Sequence, residues 1–337
     1  MNHSNRTESV PPQLVAIYLI WICQFVVIGL GNGLIAVAIL AYAALRKRKE
    51  YLIILGLSAA DALNLVGCGC IGGHRLYLIY LGQFFSRQST LFCFLVPGTV
   101  LVSGFERAAA MMLVVVSIDR LLCVACPLRY FRFRAPYAYS LLFFAFGSGL
   151  GFWLVGLIVA LVKSDQLGSV SAGCFTGQVY MLINPYYAFY GMYIIPMLGV
   201  LSVVLYIAVG VIYFRGRRTN LVGAVKSKPE QKLERKRQKN LTRSLGLSCA
   251  CTLMLLVLPV CLAFSGELFS WPRLVMQILW IFPKFNPFCN MIIYFNRQPE
   301  LRTALFAMFR GKPMPANLDI WQVDASSVGK RDAGTGL

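Results

Sequence analysis

The sequence predicts an all-α membrane protein: a seven-transmembrane helix bundle with an extracellular N-terminus, an amphipathic helix after the seventh span and a cytosolic C-terminus. Three observations predict it. Hydrophobic residues make up 58% of the 337 residues and charged ones only 13%, about half the charged share of an ordinary soluble domain. Seven stretches are long and apolar enough to cross a bilayer. The basic residues behind the net charge of +19 gather in alternate connections rather than along the whole chain.

Hydrocarbon satisfies no backbone group, so each crossing needs about 20 largely apolar residues wound as a helix. The first stretch runs from Leu14 to Leu45 without an Asp, Glu, Lys or Arg, and the second, Leu52 to Gly73, carries only Asp61. The third, Leu91 to Ser117, holds Glu106 and Arg107; the fourth, Tyr137 to Val162, is uncharged. The fifth lies within Phe175 to Phe214, the sixth is Ser244 to Gly266, and the seventh, Leu274 to Phe295, carries only Lys284. The first stretch follows a polar head and far exceeds a signal core of about 7 to 15 residues, so it is expected to stay as a span.

Basic residues near helix ends remain on the cytoplasmic side. Arg46, Lys47, Arg48 and Lys49 follow the first span, Arg129, Arg132 and Arg134 the third, and a Lys- and Arg-dominated segment from Arg215 to Arg243 the fifth. The opposite side has only scattered cases such as Arg6, Arg75, Lys163 and Arg273. The N-terminus is therefore expected outside, in a multi-pass protein of the plasma membrane. The expected organisation is an extracellular head over 1–13, a transmembrane unit with its membrane-surface helix over 14–312, and a disordered cytosolic tail over 313–337. Asn2 with Ser4 and Asn5 with Thr7 form glycosylation sequons on the outer head. The basic excess reads as topology and contact with anionic membrane lipids, not nucleic acid.

Polar residues left inside such helices are costly and mark candidate functional positions. They fall in short runs: Gly31 and Asn32 in helix one, Leu57, Ser58, Ala59, Ala60 and Asp61 in helix two, and Ser117, Ile118, Asp119 and Arg120 at the inner end of helix three. Pro196 lies in helix five, Leu258 and Pro259 in helix six, and Asn290 to Tyr294 at the inner end of helix seven. This set, in this order, resembles the rhodopsin-like (class A) G protein-coupled receptors over nearly all of residues 14 to 312. The run Ser117, Ile118, Asp119, Arg120, Leu121, followed by Cys126, Pro127, Leu128, Arg129 and Tyr130, is most similar to nematode serpentine chemoreceptors of class SX.

The resemblance implies that Asp119 restrains Arg120 until activation releases the arginine toward a heterotrimeric G protein; a snorkelling arginine beside an acidic neighbour is the plain alternative. At the end of helix seven, Asn290 and Tyr294 match the family pattern, but Met291 stands where a proline is usual and Pro287 lies one turn earlier, so the kink is expected to be displaced. Asn32, Asp61, Asn286 and Asn290 are implied to form a buried polar cluster. A sodium ion near Asp61 is doubtful, because the expected helix-three ligand is Ala109. Of the eleven cysteines, most lie in helices as small apolar residues, whereas Cys93 and Cys174 fall on the oxidising side, where a bridge pinning the second outer loop is expected and the family has one. Cys93 stands about two residues further from Arg120 than is usual in the family, which implies a bulge or a longer helix.

The ligand pocket is expected among helices three, five, six and seven. Glu106 lies about 21 Å above Arg120 and Lys284 about 15 Å above Tyr294, which are similar depths. Glu106 and Arg107 point about 100° apart, so they cannot share a neighbour. Lys284 has three readings: an ion pair with Glu106, contact with an acidic ligand, or a retinal Schiff base, since opsins carry their lysine there. Against retinal, the counterion position is Gly98 and the helix-six tryptophan is replaced by Val257. Tyr193 and Trp280, with Phe189, Tyr190, Phe264 and Phe282, are candidate apolar lining, of which two or three should touch ligand. After Tyr294, Pro299 opens a helix with Leu301, Leu305, Met308 and Phe309 as one apolar stripe. The expected function is a non-enzymatic receptor, without a required cofactor, that couples an extracellular odorant, pheromone, peptide or other small ligand to a G protein. The alternatives are an opsin-like photoreceptor and a membrane transporter or channel. Transport would call for paired broken helices in related halves; an enzyme would need a catalytic set, and the only histidines are His3 and His74.

Overall fold

Proline sets the punctuation of this chain. The residue before a proline is pushed out of the α region, while proline itself suits the first turn of a helix. In the computed structural model, which describes residues 10–163, 167–220, 247, 250–268 and 271–311, five helices start on this rule, at Pro12, Pro97, Pro127, Pro185 and Pro299. Asn2, Asn5, most of the basic segment between the fifth and sixth spans, and the tail from Lys312 lie outside the described residues.

The first crossing is α1 (Pro12–Gln24), a π-helical turn at Phe25–Gly29, and α2 (Leu30–Ala41). A short α3 (Ala43–Arg46) follows a break at Tyr42 and leads to α4 (Lys49–Tyr80). Strand β1 (Arg87–Ser89) precedes α5 (Thr90–Leu95), α6 (Pro97–Ala125), α7 (Pro127–Arg132) and α8 (Ala135–Val162). Strand β2 (Ser169–Ser171) pairs antiparallel with β1, Arg87 opposite Ser171. Next come α9 (Thr176–Ile183) and α10 (Pro185–Asn220). A second π-helical turn at Leu253–Val257, just before Pro259, runs into α11 (Leu258–Leu268). The stretch expected as the last crossing comprises α12 (Arg273–Ile281), a 3-10 turn at Phe282–Phe285 and α13 (Asn286–Arg297), and α14 (Pro299–Phe309) follows it.

Five helices are long and apolar enough to cross a membrane: Pro12–Ala41, Lys49–Tyr80, Pro97–Ala125, Ala135–Val162 and Pro185–Tyr213. The expected start of the sixth span falls outside the described residues. The seventh is a broken helix rather than one continuous stretch, because Pro283 and Pro287 each remove an amide donor from its ladder. One other expected boundary is corrected for the same reason. The third span starts at Pro97, not Leu91: Val96 is extended (φ −53, ψ 126) and detaches α5 as a separate short helix. The fifth lies within its expected stretch and starts at Pro185, with Asn184 extended ahead of it.

The core lies along α4 and α6, which pack on each other and on α8, α10 and α2. Of the most apolar 18-residue window, 72% is buried in α4 but 22% in α8, so α4 is enclosed by protein while α8 presents its surface to lipid. Helix α14 docks Leu301, Ala304 and Leu305 into the main cluster with Leu57 and Tyr294. The expected stripe is corrected at its end, since Phe309 is exposed beside Phe306 on the opposite face. Glu300 fixes the docking by accepting from Tyr51 Oη at 3.0 Å and pairing with Arg48 at 3.5 Å.

Candidate functional site

The inner end of α6 holds Asp119 and Arg120, both buried. Arg120 Nη2 donates to Asp119 Oδ2. A third residue, quoted in the motif but given no role by the sequence, completes the group: Tyr130 on α7 donates its hydroxyl to the same carboxylate oxygen at 3.2 Å and lies 3.5 Å from Arg120 Nη2. Burial holds the Tyr130 phenol above its ordinary range, so it stays a donor. Lys49 at the start of α4 fixes Tyr130, its ammonium 3.4 Å from the ring centroid and 2.5 Å from the Tyr130 carbonyl. Asp119 Oδ1 and Arg120 Nε find no partner among the described residues. Buried polar groups in this condition are held at a cost and gain from any rearrangement that satisfies them. A further tether was not anticipated: Ser117 and Ser202 meet at 2.9 Å, joining α6 to α10.

The polar residues of the bundle middle form two connections rather than one cluster. Asn32 donates to the Ile28 and Pro287 carbonyls at 3.0 and 3.3 Å, tying the first crossing to the seventh at the displaced proline. Asp61 and Asn290 are both buried in the same region. Asn286, expected in the same cluster, turns instead to helix six and accepts from Thr252 Oγ1 at 3.1 Å. For a sodium ion the neighbouring face of α6 is wrong, because Ala108 and Ala109 pack against Ala60 and offer no oxygen. Met291, at the position of the missing proline, lies against the bare backbone of Gly31. Tyr294 is buried at the junction with α14, its hydroxyl without a partner among the described residues.

Toward the outer end lies a cavity of about 510 Å³, lined by Glu106, Arg107, Trp280 and Lys284 together with residues of α1, α4, α10 and the second outer loop. Lys284 Nζ meets Glu106 Oε1 at 2.5 Å across the bundle. Arg107 turns the other way, to α10, as the 100° between neighbours requires: Nη1 donates to the Ser103 carbonyl at 2.6 Å and Nη2 to the Gly191 carbonyl at 2.9 Å. Its guanidinium stacks 3.8 Å from the Phe152 ring centroid.

Cys93 and Cys174 are bonded. Because α5 is a separate piece, the bridge ties the loop to α5 rather than to helix three itself, which accounts for the extra residues between Cys93 and Arg120. Cys174 takes a left-handed backbone (φ 48), and Phe175 to Gln178 then cover the cavity.

The aromatic expectations divide. Trp280 lines the cavity, but Tyr193 is corrected: it does not, and its ring stacks on Phe189 at 4.3 Å. Phe189, Tyr190 and Phe282 are exposed on the outside of the bundle, and the Phe264 side chain lies outside what is described. Arg75, Tyr18 and Tyr180 line the cavity without having been singled out. Arg75 donates to the Gly173 and Cys174 carbonyls at 2.7 and 3.0 Å. The signal that could have found Arg75 is its place in the last turns of an otherwise apolar helix.

Compared with known families, residues 31–294 match the family model described as 7 transmembrane receptor (rhodopsin family). No curated protein matches the chain.

Proposed function

This chain belongs to the rhodopsin family of seven-transmembrane receptors, and from that premise we propose that it senses an extracellular chemical and activates a cytosolic heterotrimeric G protein. Receptors of this family are not enzymes. The reading takes the chain as a plasma-membrane protein that crosses seven times with its N-terminus outside, the head over 1–13, the receptor unit over 14–312 and the tail over 313–337. Within the family, the run beginning at Ser117 supports reading it as a chemoreceptor similar to the nematode class SX. Asn2 and Asn5 carry glycans, and anionic lipids meet the basic inner loops.

One observation carries the reading: Asp119, Arg120 and Tyr130 form a buried polar group at the inner end of the same helix that lines the outer cavity with Glu106 and Arg107. A buried cation beside one carboxylate is a two-state element, because a partner that offers the arginine new acceptors competes with Asp119. Ligand in the cavity shifts helix six outward at its inner end, and Arg120, with Asn290 and Tyr294 repacking, meets the G protein. The test is nucleotide exchange on purified G protein with the receptor and its Arg120→Ala variant. Loss of ligand-driven exchange in the variant is expected; an unaltered response, or accessibility labelling that places the connection after α10 outside the cell, defeats the proposal.

A further inference from the structure

Among the described residues, the cavity carries more positive charge than its carboxylates neutralise. Among the described residues, Lys284 is matched by Glu106 and Arg120 by Asp119, but neither Arg75 nor Arg107 is held in an ion pair, and Arg107 feels Glu106 only at longer range. Both line the cavity, at 3% and 5% exposure. Their hydrogen bonds go to backbone carbonyls, which orient a guanidinium but cannot cancel its charge. The surrounding rings help only in part: Arg75 lies 4.7 Å from the Phe175 centroid and 5.2 Å from that of Tyr18. Arg107 Nε, buried, has no acceptor among the described residues. The rest of the lining is largely apolar, with Val102, Ile195, Leu256, Val260 and Trp280 among it.

An arginine stays protonated in any protein environment, and one placed in a largely apolar cavity without an anion is costly. We infer that this cavity takes an amphiphilic organic anion, a carboxylate or a sulfate or phosphate ester on an apolar body, with the anionic group at Arg107 and Arg75 adding to the attraction. The inference rests on the receptor reading for its meaning, but its chemistry is that of the cavity alone. Glu106 leaves the ligand no room to be cationic at Lys284, because that carboxylate is already engaged. The size also agrees, since sites for small organic ligands fall at about 300–1,000 Å³.

The test uses the full chain in nanodiscs of zwitterionic phosphatidylcholine, so that no lipid supplies the anion. Melting temperature is measured with phenylacetate, 4-phenylbutyrate and decanoate, and with the primary amide of each. An acid is expected to raise it while its amide does not, and Arg107→Gln is expected to weaken that acid about 10- to 100-fold. Arg107→Met separates a ligand group from a packing group: the empty variant should melt no lower than the parent, and the response to acid should vanish. Nanodiscs containing phosphatidylglycerol form a second arm; Arg107-dependent stabilisation there without added acid assigns the same anion to a membrane lipid. The inference falls if no acid stabilises, if the amides or the corresponding amines do as well, or if empty Arg107→Met is destabilised. Nucleotide exchange on the G protein keeps the two readings apart. Acid binding without exchange leaves the anion site standing and removes coupling, whereas exchange driven by amides does the reverse.

Discussion

Replacing Glu106 by Gln removes the carboxylate that faces Lys284 at 2.5 Å and strands an ammonium side chain that is only 12% exposed. At that separation and an effective dielectric constant of about 20, the attraction in the intact pair is about 7 kcal/mol. Most of it is offset by the cost of drawing both groups from water, so the pair itself adds little. Breaking it is different, because the stranded half keeps its desolvation cost. That loss is about 3–5 kcal/mol for a fully buried pair, and the Glu106 side chain, at 26% exposure, places it at the low end. About 3 kcal/mol corresponds to a fall of about 6–12 °C in melting temperature by the scaling of domains of 150–250 residues. The free thiol of Cys68, buried near the pair, reports unfolding when the purified chain is heated with a thiol-reactive dye. The double variant Glu106→Gln with Lys284→Met should recover most of the loss, since an apolar side chain of similar length then fills the site. An unchanged melting temperature for Glu106→Gln, or a double variant no more stable than it, refutes the reasoning.

Three further outcomes are expected. Tyr130→Phe removes one donor from Asp119 and loosens its hold on Arg120, so basal nucleotide exchange should rise about 10-fold, the low end for a hydrogen bond to a charged group; a lower basal rate with intact folding contradicts the restraint. A side chain at Gly149 would run into the backbone of α6, at the Gly104 carbonyl and 3.0 Å from the Ala108 nitrogen, so Gly149→Val should abolish surface expression, whereas Gly147→Val, with open space around it, should not. Added retinal should produce no visible band, since a counterion side chain at Gly98 would lie 2.7 Å from Ile71 Cγ1 and 3.0 Å from the Gly67 carbonyl; a red-shifted band that Lys284→Ala eliminates would show the opposite.

How far the fold could be read from the sequence depended on which force set each feature. Hydrophobic length marks a helix in lipid without reference to its neighbours, so the five long helices lie where the apolar stretches do. The errors sit at prolines. Leu91 to Leu95 is as apolar as the span it adjoins, and composition could not separate the two. Val96 and Asn184, each ahead of a proline, carried the signal, because the clash with the proline ring acts on one dihedral and leaves hydropathy unchanged. The broken seventh span follows from the same cause at Pro283 and Pro287.

The candidate site was legible where depth along a helix sufficed and illegible where a partner had to come from elsewhere. Glu106 and Lys284 could be matched by counting residues, because two charges at one level in a bundle seek each other. Arg107 could not be assigned, since its acceptor is a backbone carbonyl, Gly191, which leaves no trace in side-chain chemistry. The same holds for Ser117 and Ser202, whose pairing depends on the rotation of α10. Together these contacts have a mechanical consequence. Arg107 binds α10 at Gly191 and Ser117 binds it at Ser202, and Pro196 lies between those two points inside the helix. A proline deletes one rung of the helical ladder and lowers resistance to bending there. The outer tether is a neutral carbonyl on a guanidinium that an anion would bind more strongly, while the inner one joins two hydroxyls that no cavity ligand reaches. An anion at Arg107 therefore acts on the outer segment of α10 alone, with the bend falling at Pro196 and the inner segment held against α6 three residues before Arg120.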